Sequence, residues 1–254
     1  MATTAPPTEP DVVYPDSDGK PMADNTLQYE WIVTLKGNLD ALFAGNPGVF
    51  VAGDNLIYPV KGNNTIRQAP DVYVAFGRPK GHRGSYKVWV EGGLFPQVVF
   101  EVRSPGNRAG EMARKLAFYD QYGAEEYYLY DPDRNTLEGY TRTEEGLDTV
   151  PEMNGFASPL LGIRFDTSSE PLVVYYPDGR RFLTFQEVMD QAASAELRAT
   201  EARVQVEQAR RQADQARVQA DQARIQADLK QRENERLRAI LQAAGIDPDA
   251  GSVG

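Results

Sequence analysis

Two acidic residues and a lysine lie in the most apolar part of the sequence. Asp71 directly precedes the apolar run VYVAF, and Glu101 interrupts the run VVFEV; both runs have the composition of buried strands. Lys115 lies about one turn inside the helix predicted to come next. Because burying an unpaired carboxylate is costly, two of them on neighbouring strand segments require a cation or hydrogen bonds. The pattern predicts a site built on oxygen ligands and a bound cation.

Mg²⁺ is the cation expected at such a site, with Mn²⁺ as a possible substitute. Mg²⁺ prefers octahedral oxygen coordination and retains several waters, so the carboxylates of Asp71 and Glu101 with the backbone carbonyl of Val102 would hold it. The ion would acidify a water for attack on a phosphodiester, and the ammonium of Lys115 would orient that water or stabilise the transition state. The single histidine, His82, and the absence of cysteine exclude multi-histidine and thiolate sites.

Each of these residues also has a purely structural interpretation. Asp71 follows a proline and could cap or end a turn. Glu101 could be neutralised by one of the arginines that follow it, Arg103, Arg108 or Arg114. Lys115 could be a solvated helix residue whose stem covers apolar surface. Since all three polar residues fall inside the most apolar part of the chain, one functional interpretation is favoured over three separate structural ones.

An alternation of helices and strands surrounds these residues. Asp24 or Asn25 can cap a helix whose apolar residues recur at near-helical spacing to about residue 44. Extended segments follow in VFVAGDNLIYPV, DVYVAF, YKVWVE and QVVFEV, and the helix AGEMARKLAFYDQYG then ends at Gly123 before the strand EYYLYDP. A strand, a helix and a strand in succession predict a crossover unit. With the short strands that follow, the pattern predicts an α/β fold containing a mixed sheet.

A different pattern begins near Phe185, where Ala, Gln, Arg, Asp and Glu dominate and the segments EQARRQA, DQARVQA and DQARIQA repeat every seven residues. Apolar residues spaced alternately four and three apart form a heptad seam. The seam predicts a coiled-coil helix roughly 85 Å long over residues 186–245, anchored by Leu237 and Leu241, with Asn234 able to fix the register. The alternative is a long helix that is solvated or packed against its own chain.

The net charge of −10 argues against a protein that binds nucleic acid over its whole surface, but it leaves room for one basic patch. The loop GRPKGHRGSYK and the segment after Glu101 predict such a patch, with five residues that could contact phosphates: Arg78, Lys80, Arg83, Lys87 and Arg108. A solvated basic loop is the alternative. No run of about 18 apolar residues is present and signal-peptide regions are lacking, so a cytoplasmic protein without membrane contact is expected.

The succession APDVYVAF, VVFEVRSP and EMARKLAFYDQYGAEEYYLYDPD resembles the putative restriction endonuclease domain family, a branch of the PD-(D/E)XK nuclease superfamily, over roughly residues 20–185. The most specific residues are Glu101, Val102, Ser104, Pro105, Lys115, Tyr119, Gly123, Glu126, Tyr127, Asp131 and Pro132. The resemblance implies a restriction-endonuclease-like core, with a central mixed sheet flanked by helices and with Asp71 and Glu101 as the metal-binding acids.

One departure from the superfamily pattern concerns the basic residue. In the superfamily's motif a lysine lies two residues after the acid on the same strand, and here Arg103 occupies that position. The resemblance therefore nominates Lys115 on the following helix, with Arg103 as the alternative cation. The superfamily often has a further acid on its first helix, for which Glu30 is the candidate.

The functional expectation is a Mg²⁺-dependent endonuclease that hydrolyses DNA phosphodiester bonds. The expected organisation is an irregular N-terminal arm over 1–22, a PD-(D/E)XK nuclease-like domain over 23–185, the coiled-coil helix over 186–245 and a flexible tail over 246–254. A homodimer is expected, through the nuclease domain or the coil. Two alternatives stay open: a nuclease-like scaffold with weak or no activity that works through its coil, and a nuclease that acts on RNA.

Overall fold

A computed structural model describes residues 12–17, 19, 22–107 and 109–245. The chain divides into two compact units, Met1–Val188 and Met189–Gly254. Most of the predicted arm, the candidate phosphate contact Arg108 and the predicted tail over 246–254 lie outside the described residues. Within the described part of the arm, residues 12–17 form neither helix nor strand. No helix among the described residues is long and apolar enough to cross a membrane.

The described residues of the first unit form two helices and ten strands before the long helix begins. Their bounds, in chain order, are α1 Thr26–Leu42, β1 Val49–Ala52, β2 Ile57–Tyr58, β3 Val72–Phe76, β4 Tyr86–Lys87, β5 Val98–Val102, α2 Ala109–Tyr122, β6 Glu126–Asp131, β7 Thr136–Thr143, β8 Gly146–Thr149, β9 Arg164–Asp166 and β10 Val173–Tyr175. The long helix α3 spans Phe185–Ala243.

Six strands form one mixed sheet in the order β1-β3-β5-β6-β7-β8. Only β5 and β6 are parallel, and the other neighbours in this sheet are antiparallel. A parallel pair needs a crossover connection, which α2 supplies between β5 and β6. The prediction of an α/β fold with a central mixed sheet is confirmed.

Both faces of the sheet are covered. Side chains alternate between the two faces along each strand, so each central strand contributes to both apolar clusters. On one face, Ile32 and Leu35 of α1 pack with Val72 and Phe100. On the other face, Met112 and Tyr119 of α2 belong to a second apolar cluster that includes Tyr73 and Val99 of the same two strands. Strands β3 and β5 are therefore buried from both sides, which explains their nearly continuous apolar sequences.

Helix α1 begins where the sequence offers two neighbouring caps. Asn25 is the N-cap, and its side chain accepts a hydrogen bond of 2.8 Å from the backbone N–H of Gln28. Asp24 is thereby left outside the helix, with a solvent-exposed side chain. The helix continues for 17 residues.

Helix α3 is a single helix of 59 residues that buries none of them. Its large apolar side chains are all at least one-third exposed, from 36% for Leu241 to 70% for Val206. A helix in a folded protein normally gains most of its stability from packing one apolar face. Helix α3 has no such packed face among the described residues.

Substitution of Gly53 tests the close approach of two chain segments beside β3. A Cβ atom added at Gly53 would lie 2.2 Å from the backbone oxygen of Asp71, so the backbone must shift to admit it. We expect Gly53→Ala to lower the free energy of unfolding by about 1–3 kcal/mol. The measurement is urea denaturation followed by fluorescence.

The matched control is Gly37→Ala, inside α1, where an added Cβ meets no atom within 4 Å. Alanine has the higher helix propensity, so this variant should be stabilised by up to about 1 kcal/mol. Equal effects of the two substitutions would contradict the assigned close approach at Gly53.

Candidate active site

The register of β3 and β5 brings Asp71 and Glu101 together. In this antiparallel pair Val72 lies opposite Phe100, so the next step of the ladder sets Asp71 opposite Glu101. Opposed residues of an antiparallel pair point to the same face. The backbone N–H of Val102 donates a hydrogen bond of 2.6 Å to Asp71 Oδ2 and fixes this carboxylate at the end of the strand.

Helix α2 supplies the partners of the buried Glu101, whose exposed fraction is 2%. Lys115 Nζ lies 2.7 Å from Glu101 Oε2, and the hydroxyl of Tyr119 donates a hydrogen bond of 2.7 Å to Oε1. Residues four apart lie on the same face of a helix, so one stripe of α2 serves both oxygens. The lysine that the resemblance nominated therefore contacts the acid that it was expected to serve.

The surroundings of Asp71 and Lys115 raise the pKa of both groups. Burial and the nearby charge of Glu101 raise the pKa of Asp71 well above its ordinary value, and a hydrogen bond shared with Glu101 acts in the same direction. Burial lowers the pKa of Lys115, but the charges of Glu101 and Asp71 outweigh it and raise the pKa overall. Asp71 is thus stabilised in its protonated form and Lys115 in its charged form.

Two buried tyrosines lie beneath the carboxylates. Burial first, and then the charge of Glu101, raise the pKa of Tyr119 and of Tyr127 well above the ordinary value. The hydroxyl of Tyr119 is bonded to Glu101, whereas the buried hydroxyl of Tyr127 has no hydrogen-bond partner among the described residues. Both phenols stay protonated at neutral pH, so Tyr119 acts as a hydrogen-bond donor.

Helix α1 contributes Gln28, which joins its N-terminus to the end of β5. The side-chain amide of Gln28 donates a hydrogen bond of 2.8 Å to the carbonyl of Val102, and its oxygen accepts one of 2.8 Å from the backbone of Asp24. The carbonyl expected to bind the metal is therefore held by a buried amide. A carbonyl oxygen has two lone pairs, so one remains for a ligand.

Asp71 and Lys115 open onto a cleft of about 270 Å³. Its remaining walls come from α1, from the loop before β3 and from the first turn of α2, and they are rich in acids: Asp24, Asp54 and Glu111 all line it. Asp54 adopts a positive φ of 55°, which aspartate tolerates better than most residues. Among the described residues that line the cleft, acidic side chains surround one cationic side chain, that of Lys115.

The donor set suits a hard divalent cation. The carboxylates of Asp71 and Glu101 and the carbonyl of Val102 are all oxygen ligands, and each Glu101 oxygen keeps a lone pair beyond its bond to Lys115 or Tyr119. Among the described residues no group of three or more His, Cys, Asp or Glu side chains could hold a metal ion. An ion here would therefore complete its coordination with water, as Mg²⁺ commonly does.

Arg103 and Glu30 are not brought to the cleft. Arg103 Nη1 lies 3.5 Å from Asp131 Oδ2 and Nη2 lies 3.8 Å from Glu138 Oε1, so this arginine pairs with acids of β6 and β7. Glu30 is exposed on α1 and does not line the cleft. Asp24, which lies just before the N-terminus of α1, lines the cleft.

The four described residues of the predicted basic patch follow β3 in the sequence, at the end of this strand opposite Asp71. Arg78 and Lys80 follow the last residue of this strand, whose five residues span about 17 Å. Lys80 donates a 2.7 Å hydrogen bond to the carbonyl of Phe43 after α1. Arg83 pairs with Glu91 at 2.6 Å, and Lys87 lies over the ring of Tyr14 at 5.5 Å. These residues have structural partners, and none of them lines the cleft.

Several residues of the site carried no sequence signal of their role. Gln28 is a polar residue inside the first predicted helix, Tyr119 matched the family resemblance without an assigned role, and Asp24 matched a helix cap. Asp54 and Glu111 are polar residues in segments where polar residues are common. Asp54 and Glu111 can be assigned to the site only from the structure, where both line the same cleft.

Comparison with known proteins identifies one family over most of the first unit. The family model described as "Uma2: Putative restriction endonuclease" matches residues 9–169. No curated protein matches the chain. Among solved structures, that of a putative nuclease belonging to DUF820 from Anabaena variabilis matches with a TM-score of 0.38 and 13% sequence identity, over 53% of this chain and 72% of that chain. The residues matched by the family model include β3, β5 and α2.

The two tyrosines make a matched pair of substitutions. Tyr119→Phe removes a donor from the buried carboxylate of Glu101 and should lower the free energy of unfolding by about 1.5–3 kcal/mol. Tyr127→Phe removes a hydroxyl that has no partner and should be neutral or stabilising. Urea denaturation at pH 7 measures both. Equal losses would contradict the assigned role of the Tyr119 hydroxyl.

The raised pKa of Asp71 predicts a substitution that stabilises the protein. Since the folded chain favours the protonated acid, stability falls as the pH rises above the ordinary value of 3.8, where the unfolded chain has already lost this proton. Asp71→Asn should therefore raise the free energy of unfolding at pH 7 by about 0.5–2 kcal/mol. The gain should disappear below pH 3.8. Denaturation of both proteins across this pH range is the measurement, and a gain that does not depend on pH would contradict the assignment.

Proposed function

Because the chain belongs to the Uma2 family, described as putative restriction endonucleases, we propose that it is a Mg²⁺-dependent endonuclease that hydrolyses DNA phosphodiester bonds. The family membership inferred from the sequence is confirmed. The observation that carries the proposal is the set formed by Asp71, Glu101 and Lys115. Asp71 directly precedes β3 and accepts a hydrogen bond from the backbone of Val102, the residue after Glu101, and Lys115 Nζ is 2.7 Å from Glu101 at the wall of an open cleft.

Asp71, Glu101 and the carbonyl of Val102 would hold the Mg²⁺ ion. When bound, the ion supplies a more acidic water and offsets negative charge on the phosphate. Tyr119 fixes the orientation of Glu101, and Gln28 fixes that of the Val102 carbonyl. These two hydrogen bonds spare the site the cost of reorganising its ligands during the reaction.

Lys115 is the chain's own cation at the reacting phosphate. Its ammonium has three N–H donors, and one is directed to Glu101. The others can donate to a phosphate oxygen or orient the attacking water. Because its pKa is raised, Lys115 stays charged at neutral pH and acts as an electrostatic stabiliser and not as a general base.

The acids around the cleft set the order in which ligands bind. Asp24, Asp54 and Glu111 line the same walls as Asp71, so the empty cleft opposes the approach of a polyanion. A bound divalent cation would neutralise part of the negative charge of these acids. We therefore expect DNA binding at the cleft to depend on Mg²⁺ or Mn²⁺.

Cleavage of supercoiled plasmid in Mg²⁺ or Mn²⁺ tests the proposed reaction. We expect nicked or linear product from the unaltered chain, and a rate at least about 100-fold lower for Glu101→Gln and for Lys115→Met. The control is Asp40→Asn on the exposed surface of α1, where Asp40 pairs with Lys36. This control should cleave at the rate of the unaltered chain.

The same experiment separates the substrates. A labelled RNA of matched sequence is incubated in parallel, and cleavage of RNA alone would replace DNA as the substrate class. If neither nucleic acid is cut under any metal condition, or if Glu101→Gln leaves the rate unchanged, the endonuclease proposal fails.

A scaffold without catalytic activity is the second candidate, and the exposed apolar face of α3 favours it. Metal binding separates the two candidates without depending on activity. An active site should bind Mn²⁺ in calorimetric titration, and Asp71→Asn should abolish that binding. A scaffold need not bind the ion, so the absence of Mn²⁺ binding together with the absence of cleavage would favour it.

A further inference from the structure

The exposed face of α3 follows a seven-residue repeat. In heptad notation, the a positions from Ala192 onward are Ala192, Ala199, Val206, Ala213, Ala220, Ala227, Asn234 and Leu241, and the d positions from Ala195 onward are Ala195, Ala202, Ala209, Ala216, Ala223, Lys230, Leu237 and Ala244. We call this row of a and d residues the seam. It is apolar except at Lys230 and Asn234, and every residue of it is exposed.

We infer that the seam pairs with the seam of a second copy of this chain, as a parallel, in-register, two-stranded coiled coil. The seam continues for over 50 residues, which is about 75 Å of helix, without a shift in the heptad phase. Only another helix of the same repeat and length can cover such a face along its whole length. A second copy supplies that helix, and the inference does not depend on the proposed reaction.

The charges beside the seam favour the parallel orientation. The e positions carry mostly arginine, at Arg203, Arg210, Arg217, Arg224 and Arg238, and the g positions carry mostly glutamine, at Gln191, Gln205, Gln212, Gln219 and Gln226. In a parallel pair each e position faces a g position of the other helix, so arginine meets glutamine. In an antiparallel pair the e rows face each other, which would set arginine against arginine along the coil.

Individual pairs of a parallel coil show the same preference. Glu233 at g would face Arg238 of the second copy, which is an attractive pair. Arg198 at g would face Arg203 of the second copy, which is the one repulsive pair in this arrangement. The other facing pairs combine glutamine with a charged residue or with glutamine, apart from Ile240 with Gly245 at the end of the seam.

The two polar seam residues specify the register. Asn234 at an a position would lie opposite Asn234 of the second copy, where the two amides can hydrogen-bond, and a shift by one heptad would bury them against alanine or leucine. Lys230 can extend its stem over the seam and keep its ammonium in water. Leu237 and Leu241 then supply the largest buried side chains next to this polar pair.

A second apolar row lies on the other side of the helix. The f positions include Leu197, Val204, Val218 and Ile225, but Arg211 and Arg232 interrupt the row. The c positions beside it are mostly polar. This row cannot form a continuous seam, so it remains on the outside of the pair and supplies matched control positions.

Cysteine cross-linking of the full chain tests both the pairing and its orientation, because the native sequence contains no cysteine. Ala195→Cys lies near the start of the seam. In a parallel in-register pair the two introduced thiols face each other, whereas in an antiparallel pair of full overlap they would be about 55 Å apart. We expect a disulfide-linked dimer to form at least about tenfold faster for Ala195→Cys than for the control Leu197→Cys in the outer row.

Light scattering on the full chain supplies the second measurement. The unaltered chain should have about twice the mass of 28.2 kDa. The double variant Ala209→Glu/Ala216→Glu sets charge on the seam and should be monomeric, whereas Val204→Glu/Val218→Glu in the outer row should remain dimeric. A monomeric unaltered chain, a dimer that the outer-row variant dissolves, or a cross-link no faster at Ala195 than at Leu197 would overturn the inference.

Discussion

The buried carboxylate of Glu101 is the constraint on which the first unit is organised. A carboxylate at the centre of a sheet covered on both faces cannot remain without partners, because its unpaired charge would cost several kcal/mol. Lys115 and Tyr119 of α2 contact this carboxylate, and both contacts require that helix to lie across the same face of β5. The packing of α2 and the electrostatics of the site are therefore one requirement, and a change to either should disturb the other.

The topology explains why the basic residue is on a helix and not on the strand. Strands β5 and β6 are parallel, so the chain must cross over between them, and α2 is that crossover. The crossover returns Lys115 to the end of β5, fourteen positions after Glu101 in the sequence. Arg103, two residues after Glu101, lies beyond the last residue of the strand and pairs with Asp131 and Glu138 instead.

The fold could be predicted from the sequence where local patterns decide it. The apolar runs around Asp71 and Glu101 and the helical spacing that includes Lys115 were sufficient for the strands, the crossover and the mixed sheet. Contacts between distant segments could not be predicted in this way. The bond from Gln28 to Val102 joins residues 74 positions apart, and no periodicity encodes it. Arg78 of the basic loop is close to Asp71 in sequence, but the whole of β3 separates the two residues in space, so sequence proximity does not indicate a place in the cleft.

The presence of Asp71 lowers the stability of the folded chain, and this loss of stability calls for a functional explanation. Burial and the charge of Glu101 raise the pKa of Asp71, so ionising this carboxyl group in the folded chain is unfavourable. An asparagine could accept the same hydrogen bond from Val102 without that cost. Proteins retain such groups where function requires them, since stability and activity are often in conflict at a working site. A bound cation would convert this repulsion into attraction, because the two neighbouring carboxylates would become joint ligands once a positive charge lay between them. Asp71 is therefore explained by ligand binding and not by its effect on stability.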